Sequence, residues 1–273
     1  MVAGLPFAEL HAFPNGDAPH SGNPAAVVLL DGPLDDVMLA GLARSNNLSE
    51  TAYLLAGAEA DAWHLRWFTP GNEVDLCGHA TLASAVWLFE EGHVAGDAAR
   101  FDTRSGRLIV TRAGTHRYAM DFPVIGYERA APAPGIAEAM GAGAPLEAYE
   151  IEPIHGARYQ MFVYESERVI AGLAPDFRAL EERGVNIVAT AKGDSADFVS
   201  RFFCPAAGIT EDPVTGSAHC TLAPYWADAL GRAHLTARQI GPRPGALEVE
   251  LREGGRVALF GTARRFIDGR IFV

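Results

Sequence analysis

The chain has 273 residues, of which 49% are hydrophobic and 21% charged, as is ordinary for a globular protein of one large or two moderate domains. Its 34 acidic residues outnumber its 22 basic residues, and the formal net charge of −12 disfavours nucleic acid as a partner because an acidic surface repels phosphate. We expect no membrane partner and a cytoplasmic location, because neither a membrane-spanning stretch nor a signal peptide is recognisable. Three cysteines without paired spacing argue against a disulfide framework or a zinc site.

The hydrophobic pattern predicts the same order of elements in both halves of the chain. The first half has predicted strands at Ala25–Leu30, Thr51–Gly57 and Arg66–Pro70, helices at Leu34–Asn46 and Gly78–Gly92, and a hairpin around Ala113-Gly114. The second half has predicted strands at Tyr159–Glu165, Val185–Ala191 and Arg201–Pro205, helices at Asp176–Gly184 and Gly216–Gly231, and a hairpin around Glu253–Gly255. The longer helix of each half is apolar all round, which is typical of a buried helix.

The two halves also match in sequence, in order and at a nearly constant offset. The matching pairs are Leu42–Gly57 with Leu180–Gly193, Arg66–Pro70 with Arg201–Pro205, Cys77–Trp87 with Thr215–Trp226, and Ser105–Phe122 with Pro244–Phe260. Two copies of one unit explain this repeat, whose period is too long for a solenoid.

The repeat predicts an α+β fold of two pseudo-symmetric domains. We expect each domain to be a curved, mostly antiparallel sheet or barrel wrapped around a central helix. The predicted domains are residues 1–122 together with a C-terminal strand, 264–273, and residues 123–263, with a linker near Phe122-Pro123.

The loop before each long helix ends in glycine and a polar residue, Gly78-His79 in the first half and Gly216-Ser217 in the second. The first N–H groups of a helix have no partner within it, so such an end can bind an anion. Two such ends facing one cleft would hold the carboxylate of a small substrate. The alternative is that Thr215 or Ser217 merely caps a structural helix.

Three side chains near these loops could carry acid–base chemistry. In a partly dry cleft Glu50 could both take and give protons near neutral pH. Asp212 could bind a substrate amine or hydroxyl, and His79 could orient the substrate. Each has a structural alternative: Glu50 as an exposed edge residue, Asp212 as a turn former, and His79 as a capping or packing residue.

No motif predicts a cofactor or a metal. Neither half has HExxH, a CxxC pair or a dense cluster of Asp, Glu and His, which disfavours a catalytic metal. GxGxxG and Walker motifs are also missing from the sequence, which disfavours a nucleotide cofactor.

Four segments together resemble the PhzF-like family of phenazine biosynthesis proteins, which shares the diaminopimelate epimerase fold. They are SGNPAAVV (Ser21–Val28), NLSETAYL (Asn47–Leu54), RWFTPGNEVDLCGHATLASA (Arg66–Ala85) and RFFCPAAGITEDPVTGSA (Arg201–Ala218). They occur in the expected order along most of the chain, and NxSET, DLCGHAT and EDPVTGSA are specific in combination.

The resemblance implies a homodimeric, cofactor-independent isomerase of a biosynthetic process, with its active site between the two domains. It implies that Glu50 moves a proton from one carbon to another in a small carboxylate-bearing substrate. It also implies that His79 and Asp212 hold the polar groups of that substrate. The implied substrate-binding residues are Asn23, Cys77, Gly78, Gly216 and Ser217.

Two alternatives remain open at this point. Diaminopimelate epimerase and proline racemase use two thiols, and Cys77 lies where the first would be expected. Its counterpart in the internal repeat is Thr215, and one thiol cannot perform a symmetric two-base inversion. The second alternative is a small-molecule binding protein without catalysis. The substrate is not identified by the sequence, although we expect Trp67, Phe203 and the 15–22 loop to line the site.

Overall fold

The computed structural model describes residues 4–154 and 157–273. The chain folds into two compact units, of which the first runs to Asp121 and resumes at Leu259–Val273, and the second is Phe122–Ala258. The chain therefore returns to the first unit at Leu259, whereas the predicted domain boundary is residue 264. Among the described residues no helix is long and apolar enough to cross a membrane.

The first unit is a mostly antiparallel sheet with two helices. Its strands before the first crossing are β1 (Leu5–Ala12), β2 (Asn23–Leu30), β3 (Glu50–Ala56), β4 (Ala62–Phe68), β5 (Glu73–Val74), β6 (Ala98–Thr103), β7 (Gly106–Gly114) and β8 (Arg117–Pro123), and its helices are α1 (Asp36–Asn46) and α2 (Gly78–Glu90). The pairs β2–β3 and β4–β6 are parallel, whereas β1–β2, β3–β4, β4–β5, β6–β7 and β7–β8 are antiparallel.

The second unit repeats this arrangement. Its strands are β9 (Tyr127–Arg129), β10 (Glu147–Ile154), β11 (Ala157–Val163), β12 (Val185–Lys192), β13 (Phe198–Cys204), β14 (Ile209–Asp212), β15 (His234–Gln239), β16 (Gly245–Arg252) and β17 (Arg256–Gly261), and its helices are α3 (Ile136–Ala139), α4 (Glu167–Gly172), α5 (Phe177–Glu182) and α6 (Gly216–Leu230). Here β11–β12 and β13–β15 are parallel, and β10–β11, β12–β13, β13–β14 and β15–β16 are antiparallel. The seven strands from β10 to β16 thus pair in the same pattern as the seven strands from β1 to β7. This confirms the internal repeat and the predicted α+β fold.

The last strand, β18 (Ala263–Ile271), pairs antiparallel with β1 in the first unit. The chain passes between the units inside β8 and inside β17, because the crossings at Asp121 and Leu259 fall within these strands. The predicted linker near Phe122-Pro123 is therefore the end of a strand and not a separate loop.

A buried helix lies at the centre of each unit, as predicted. Every residue of α2 from His79 to Phe89 is buried, and the hydroxyl of Ser84 donates a hydrogen bond to the carbonyl of Ala80. In α6, Pro224 has no N–H to donate to the carbonyl of Cys220 one turn earlier. The backbone N–H of Ile125 donates to that carbonyl instead, at 3.2 Å, so the buried helix tolerates its proline.

The internal repeat extends to an ion pair that fixes the segment before each central helix. Arg66 donates two hydrogen bonds of 2.7 Å to the carboxylate of Glu73, and Arg201 donates two of 2.7 Å to that of Glu211. Each pair joins the RxFxP strand to the segment that leads into α2 or α6. This bidentate geometry holds the carboxylate in a defined orientation. The repeated arginines are visible in the sequence, but their partners are not.

Candidate active site

The first unit brings Glu50 and His79 together. Glu50 is the first residue of β3 and His79 lies in the first turn of α2, and their atoms Oε2 and Nε2 are 3.0 Å apart. The side chains are only 12% and 6% exposed. The two atoms form an ion pair when the ring is charged, and within the described part of the chain neither has another hydrogen-bond partner. Since buried polar atoms are normally paired, these atoms are candidates to contact a ligand.

Asn23 and Ser49 hold the other side of the His79 ring. Asn23 is fully buried, and its Nδ2 lies 3.2 Å from Nδ1 of His79. The hydroxyl of Ser49 lies 3.2 Å from Oδ1 of Asn23. An asparagine amide can turn either its nitrogen or its oxygen to the ring, and a hydroxyl can either donate or accept, so the pair suits both protonation states of Nδ1. Asn23, expected to bind substrate, is placed here against the histidine.

Cys77 lies immediately before α2, with its Sγ 3.5 Å from Nδ1 of His79. Burial raises the pKa of the Cys77 thiol to about 11, so the thiol is protonated at neutral pH. A protonated, buried thiol is a poor nucleophile and a poor base.

The charge of His79 is set by opposing effects. Burial lowers the pKa of His79, but the facing Cys77 and Glu50 favour the charged ring, and together they raise the pKa well above its ordinary value. Because a protonated thiol carries no charge, the Glu50 carboxylate is the neighbour whose charge favours a protonated His79 near neutral pH.

Three different potential metal ligands meet at this point. One donor atom each from Glu50, Cys77 and His79 lie within 4.8 Å of one another. The sequence shows no dense ligand cluster here, because two of these residues lie at the start of α2 and the third at the start of β3. Tertiary structure alone brings the three together.

In the second unit, the segment between β14 and α6 is fixed by an internal network. Asp212 is the last residue of β14, and the hydroxyl of Thr215 donates a short hydrogen bond to its carboxylate. Gln239, only 1% exposed at the end of β15, accepts from the Thr215 amide at 2.9 Å and donates to the Asp212 carbonyl at 2.5 Å. The orientation of the Asp212 carboxylate thus depends on Thr215 and Gln239. Neither Gln239 nor Ser49 was identified from the sequence, because single polar residues at strand ends carry no spacing signal.

The candidate anion sites begin the two central helices. Gly78 and Gly216 are the first residues of α2 and α6, and Ser217 is half-buried in the first turn of α6. Neither Cys77 nor Thr215, which directly precede these helices, makes a side-chain capping hydrogen bond. The alternative that Thr215 caps the helix is therefore wrong, because its hydroxyl is used by Asp212.

Two aromatic residues expected to line the site are buried. Phe203 belongs to the hydrophobic core of the second unit together with Ile187 and Ile170, so its assignment to a substrate-contacting wall is wrong. Trp67 is only 1% exposed. Trp67 lies on β4 with Arg66, and Phe203 lies on β13 with Arg201.

Replacing Gln239 with leucine should loosen the segment before α6. The change removes the partner of the buried Thr215 amide, and an unpaired buried polar group costs about 1–3 kcal/mol. We expect faster hydrogen exchange of the Thr215 amide. Gln160→Leu is the matched control, because Gln160 is also fully buried in the second unit but bonds to Ala133 and Ala131. Equal exchange at Thr215 in wild type and Gln239→Leu would contradict this role.

The fold and these residues define a class of proteins. Two repeated α+β units, each with a sheet around a buried helix, form the diaminopimelate epimerase-like fold. A probable proline racemase from Agrobacterium radiobacter has this fold in common with the chain, with a TM-score of 0.63 at 15% identity over 98% of this chain and 93% of that chain.

The chain belongs to the family described as phenazine biosynthesis-like protein, whose model matches residues 11–269. A crystal structure of a phenazine biosynthesis protein of the PhzF family from Enterococcus faecalis superposes with a TM-score of 0.90, at 41% identity, over 99% of this chain and 100% of that chain. A protein of Pseudomonas aeruginosa named as an uncharacterised isomerase is 48% identical over 93% of this chain and 95% of its own. The predicted family and the enzyme class, isomerase, are thereby confirmed.

Proposed function

We propose that the protein moves a proton from one carbon to another in a small carboxylate-bearing metabolite, with Glu50 as the proton shuttle. The buried pair of Glu50 and His79 carries this proposal, because the facing atoms Oε2 and Nε2 have no hydrogen-bond partner other than each other among the described residues. A shuttle must contact the substrate, and a carboxylate already hydrogen-bonded within the protein would be less available for that contact.

The two side chains would act in sequence. The carboxylate of Glu50 takes a proton from a substrate carbon, and the electron pair of that C–H bond is delocalised in the substrate. The protonated His79, 3.0 Å away, stabilises the negative charge that moves from Glu50 to the substrate. Glu50 then returns the proton to another carbon, so the enzyme ends unchanged and the substrate is isomerised.

The second unit would supply binding groups for the same substrate. Asp212, oriented by Thr215 and Gln239, would accept a hydrogen bond from a substrate amine or hydroxyl. The first-turn amides of α6, at Gly216 and Ser217, would bind the carboxylate, as would the Gly78 end of α2. Assigning groups from both units to one substrate follows the family resemblance, as do the homodimer and the biosynthetic role. The cytoplasmic location follows from the three cysteines without paired spacing, which suit a reducing compartment.

The thiol-based racemase or epimerase is the competing function. The pKa of Cys77 is raised to about 11 and that of Cys220 to about 12 by burial, so neither thiol is poised as a base. We expect the turnover of Cys77→Ser to stay within about tenfold of wild type, since serine keeps a small polar group at this position. If Cys77 were the catalytic base, its loss would reduce turnover by about 10²–10⁴-fold. Chiral chromatography of the product checks whether a stereocentre is inverted.

The direct test is proton NMR of small amino and hydroxy carboxylates incubated with the enzyme in D₂O. A product with a relocated C–H bond supports the isomerase. A product that differs only in configuration, formed by wild type and lost in Cys77→Ser, supports the epimerase. Ligands that raise the melting temperature but stay chemically unchanged would support a binding protein without catalysis.

A further inference from the structure

We propose that Glu50, Cys77 and His79 form a binding site for a thiophilic divalent cation such as Zn²⁺, which inhibits the enzyme when bound. The three residues offer a sulfur, a nitrogen and an oxygen donor, and Zn²⁺ accepts each of these from proteins. The binding itself does not depend on the proposed reaction, although the inhibition does.

The spacing of the donors is close to what the ion requires. A tetrahedral zinc with bonds of about 2.0–2.3 Å holds its ligand atoms about 3.3–3.7 Å apart. Oε2 of Glu50 lies 3.0 Å from Nε2 of His79, and Sγ of Cys77 lies 3.5 Å from Nδ1 of the same ring. One donor from each residue falls within 4.8 Å of the others. Because Sγ of Cys77 lies against Nδ1, its side chain has to rotate toward Nε2 to complete the set around one ion.

The ring nitrogen that faces Glu50 is the one suited to bind the cation. Nε2 of His79 has no hydrogen-bond partner among the described residues, and the side chain is only 6% exposed. A metal-binding histidine usually donates its other ring N–H to a carbonyl or carboxylate oxygen, which fixes the orientation of the ring. Asn23 lies against Nδ1 and can present its Oδ1 there, with Ser49 accepting from the turned amide. The site thus has the outer support that a ligand histidine needs.

Binding would be incompatible with proton transfer. The Cys77 thiol and the protonated His79 ring each release a proton to solvent as the sulfur–metal and nitrogen–metal bonds form, and the Glu50 carboxylate becomes a ligand. Glu50 can then no longer accept a substrate proton. Three protein ligands leave one position of a tetrahedral ion open for water or for a substrate carboxylate.

Cobalt(II) provides a spectroscopic probe of this site, because a bound thiolate gives an intense near-ultraviolet charge-transfer band. We expect the full-length protein, titrated with Co²⁺ alone, to bind one ion per chain with this band, and Zn²⁺ to displace it. Cys77→Ser should abolish the band. Cys204→Ser and Cys220→Ser are matched controls, since both thiols are also buried and free, and both should keep it.

Two further variants separate this inference from the proposed function. Glu50→Gln should keep the thiolate band but bind Co²⁺ at least tenfold more weakly. His79→Asn should weaken Co²⁺ binding by a similar factor. Both variants should have the circular dichroism spectrum of the wild type. These readings need no substrate, so they stand even if the isomerase proposal fails. Absence of a thiolate band in wild type, or a band that survives in Cys77→Ser, would overturn the metal site.

Discussion

Arg201→Met should lower the free energy of unfolding by about 3–5 kcal/mol, the typical cost of leaving a buried charge without its partner. Arg201 and Glu211 are only 9% and 12% exposed in their side chains. Arg201 also donates to the backbone carbonyls of Ile170 and Leu173, at 3.2 and 2.7 Å. Methionine keeps much of the volume but none of these bonds, so Glu211 is left buried and charged. Urea denaturation followed by Trp226 fluorescence reports on the second unit.

Arg66→Met is the matched control that the internal repeat provides. Arg66 is 32% exposed, and Glu73 keeps a second partner because Arg104 lies 2.6 Å from its Oε2. We therefore expect a loss of about 1 kcal/mol or less. Trp63, Trp67 and Trp87 report on this unit. Equal losses in the two variants would contradict the argument that burial and the lack of an alternative partner decide the cost.

Glu50→Gln should reduce turnover by about 10²–10⁴-fold, the usual contribution of a general acid–base group, while substrate binding persists. Glutamine matches glutamate in shape and can still hydrogen-bond, but it cannot carry the proton. The measurements are kcat on the substrate found by NMR and the ligand-induced rise in melting temperature.

Glu9→Gln is the control for this change. Glu9 lies 2.9 Å from His11 in the same unit, with side-chain exposures of 12% and 5% for the glutamate and the histidine, much like the pair of Glu50 and His79. The same chemical change at a residue that does not belong to the proposed site should leave kcat within about twofold. A comparable fall in both variants would mean that the loss reflects disturbance of the unit, not the proton shuttle.

Much of the fold could be predicted because its signals are local. The helix predicted at 216–231 is observed at Gly216–Leu230, and Gly231 ends it in a left-handed conformation that suits glycine. The repeat was visible because both copies keep their glycines and RxFxP strands. Helix α4 was missed although α5, of the same 6 residues, was predicted, because α4 contains β-branched Val169 and Ile170 and lacks a side-chain N-cap, whereas α5 has good helix formers and is capped by Asp176.

The candidate site could be predicted only as separate residues. Glu50, Cys77 and His79 were each identified from motifs, but their contact depends on how β3 and α2 pack in the first unit. The interaction of Asn23 with His79 and the buried position of Phe203 likewise follow from tertiary packing. Sequence spacing carries no information on which nitrogen of a histidine ring faces which neighbour.

The central claim, that Glu50 transfers the proton, is tested most directly by deuterium incorporation from D₂O into the substrate or product, measured by NMR for wild type, Glu50→Gln and Cys77→Ser side by side. We predict a rearranged product carrying deuterium at a carbon with wild type and Cys77→Ser, and neither rearrangement nor deuterium with Glu50→Gln. Incorporation that continues in Glu50→Gln and stops in Cys77→Ser would contradict the account and assign the chemistry to the thiol.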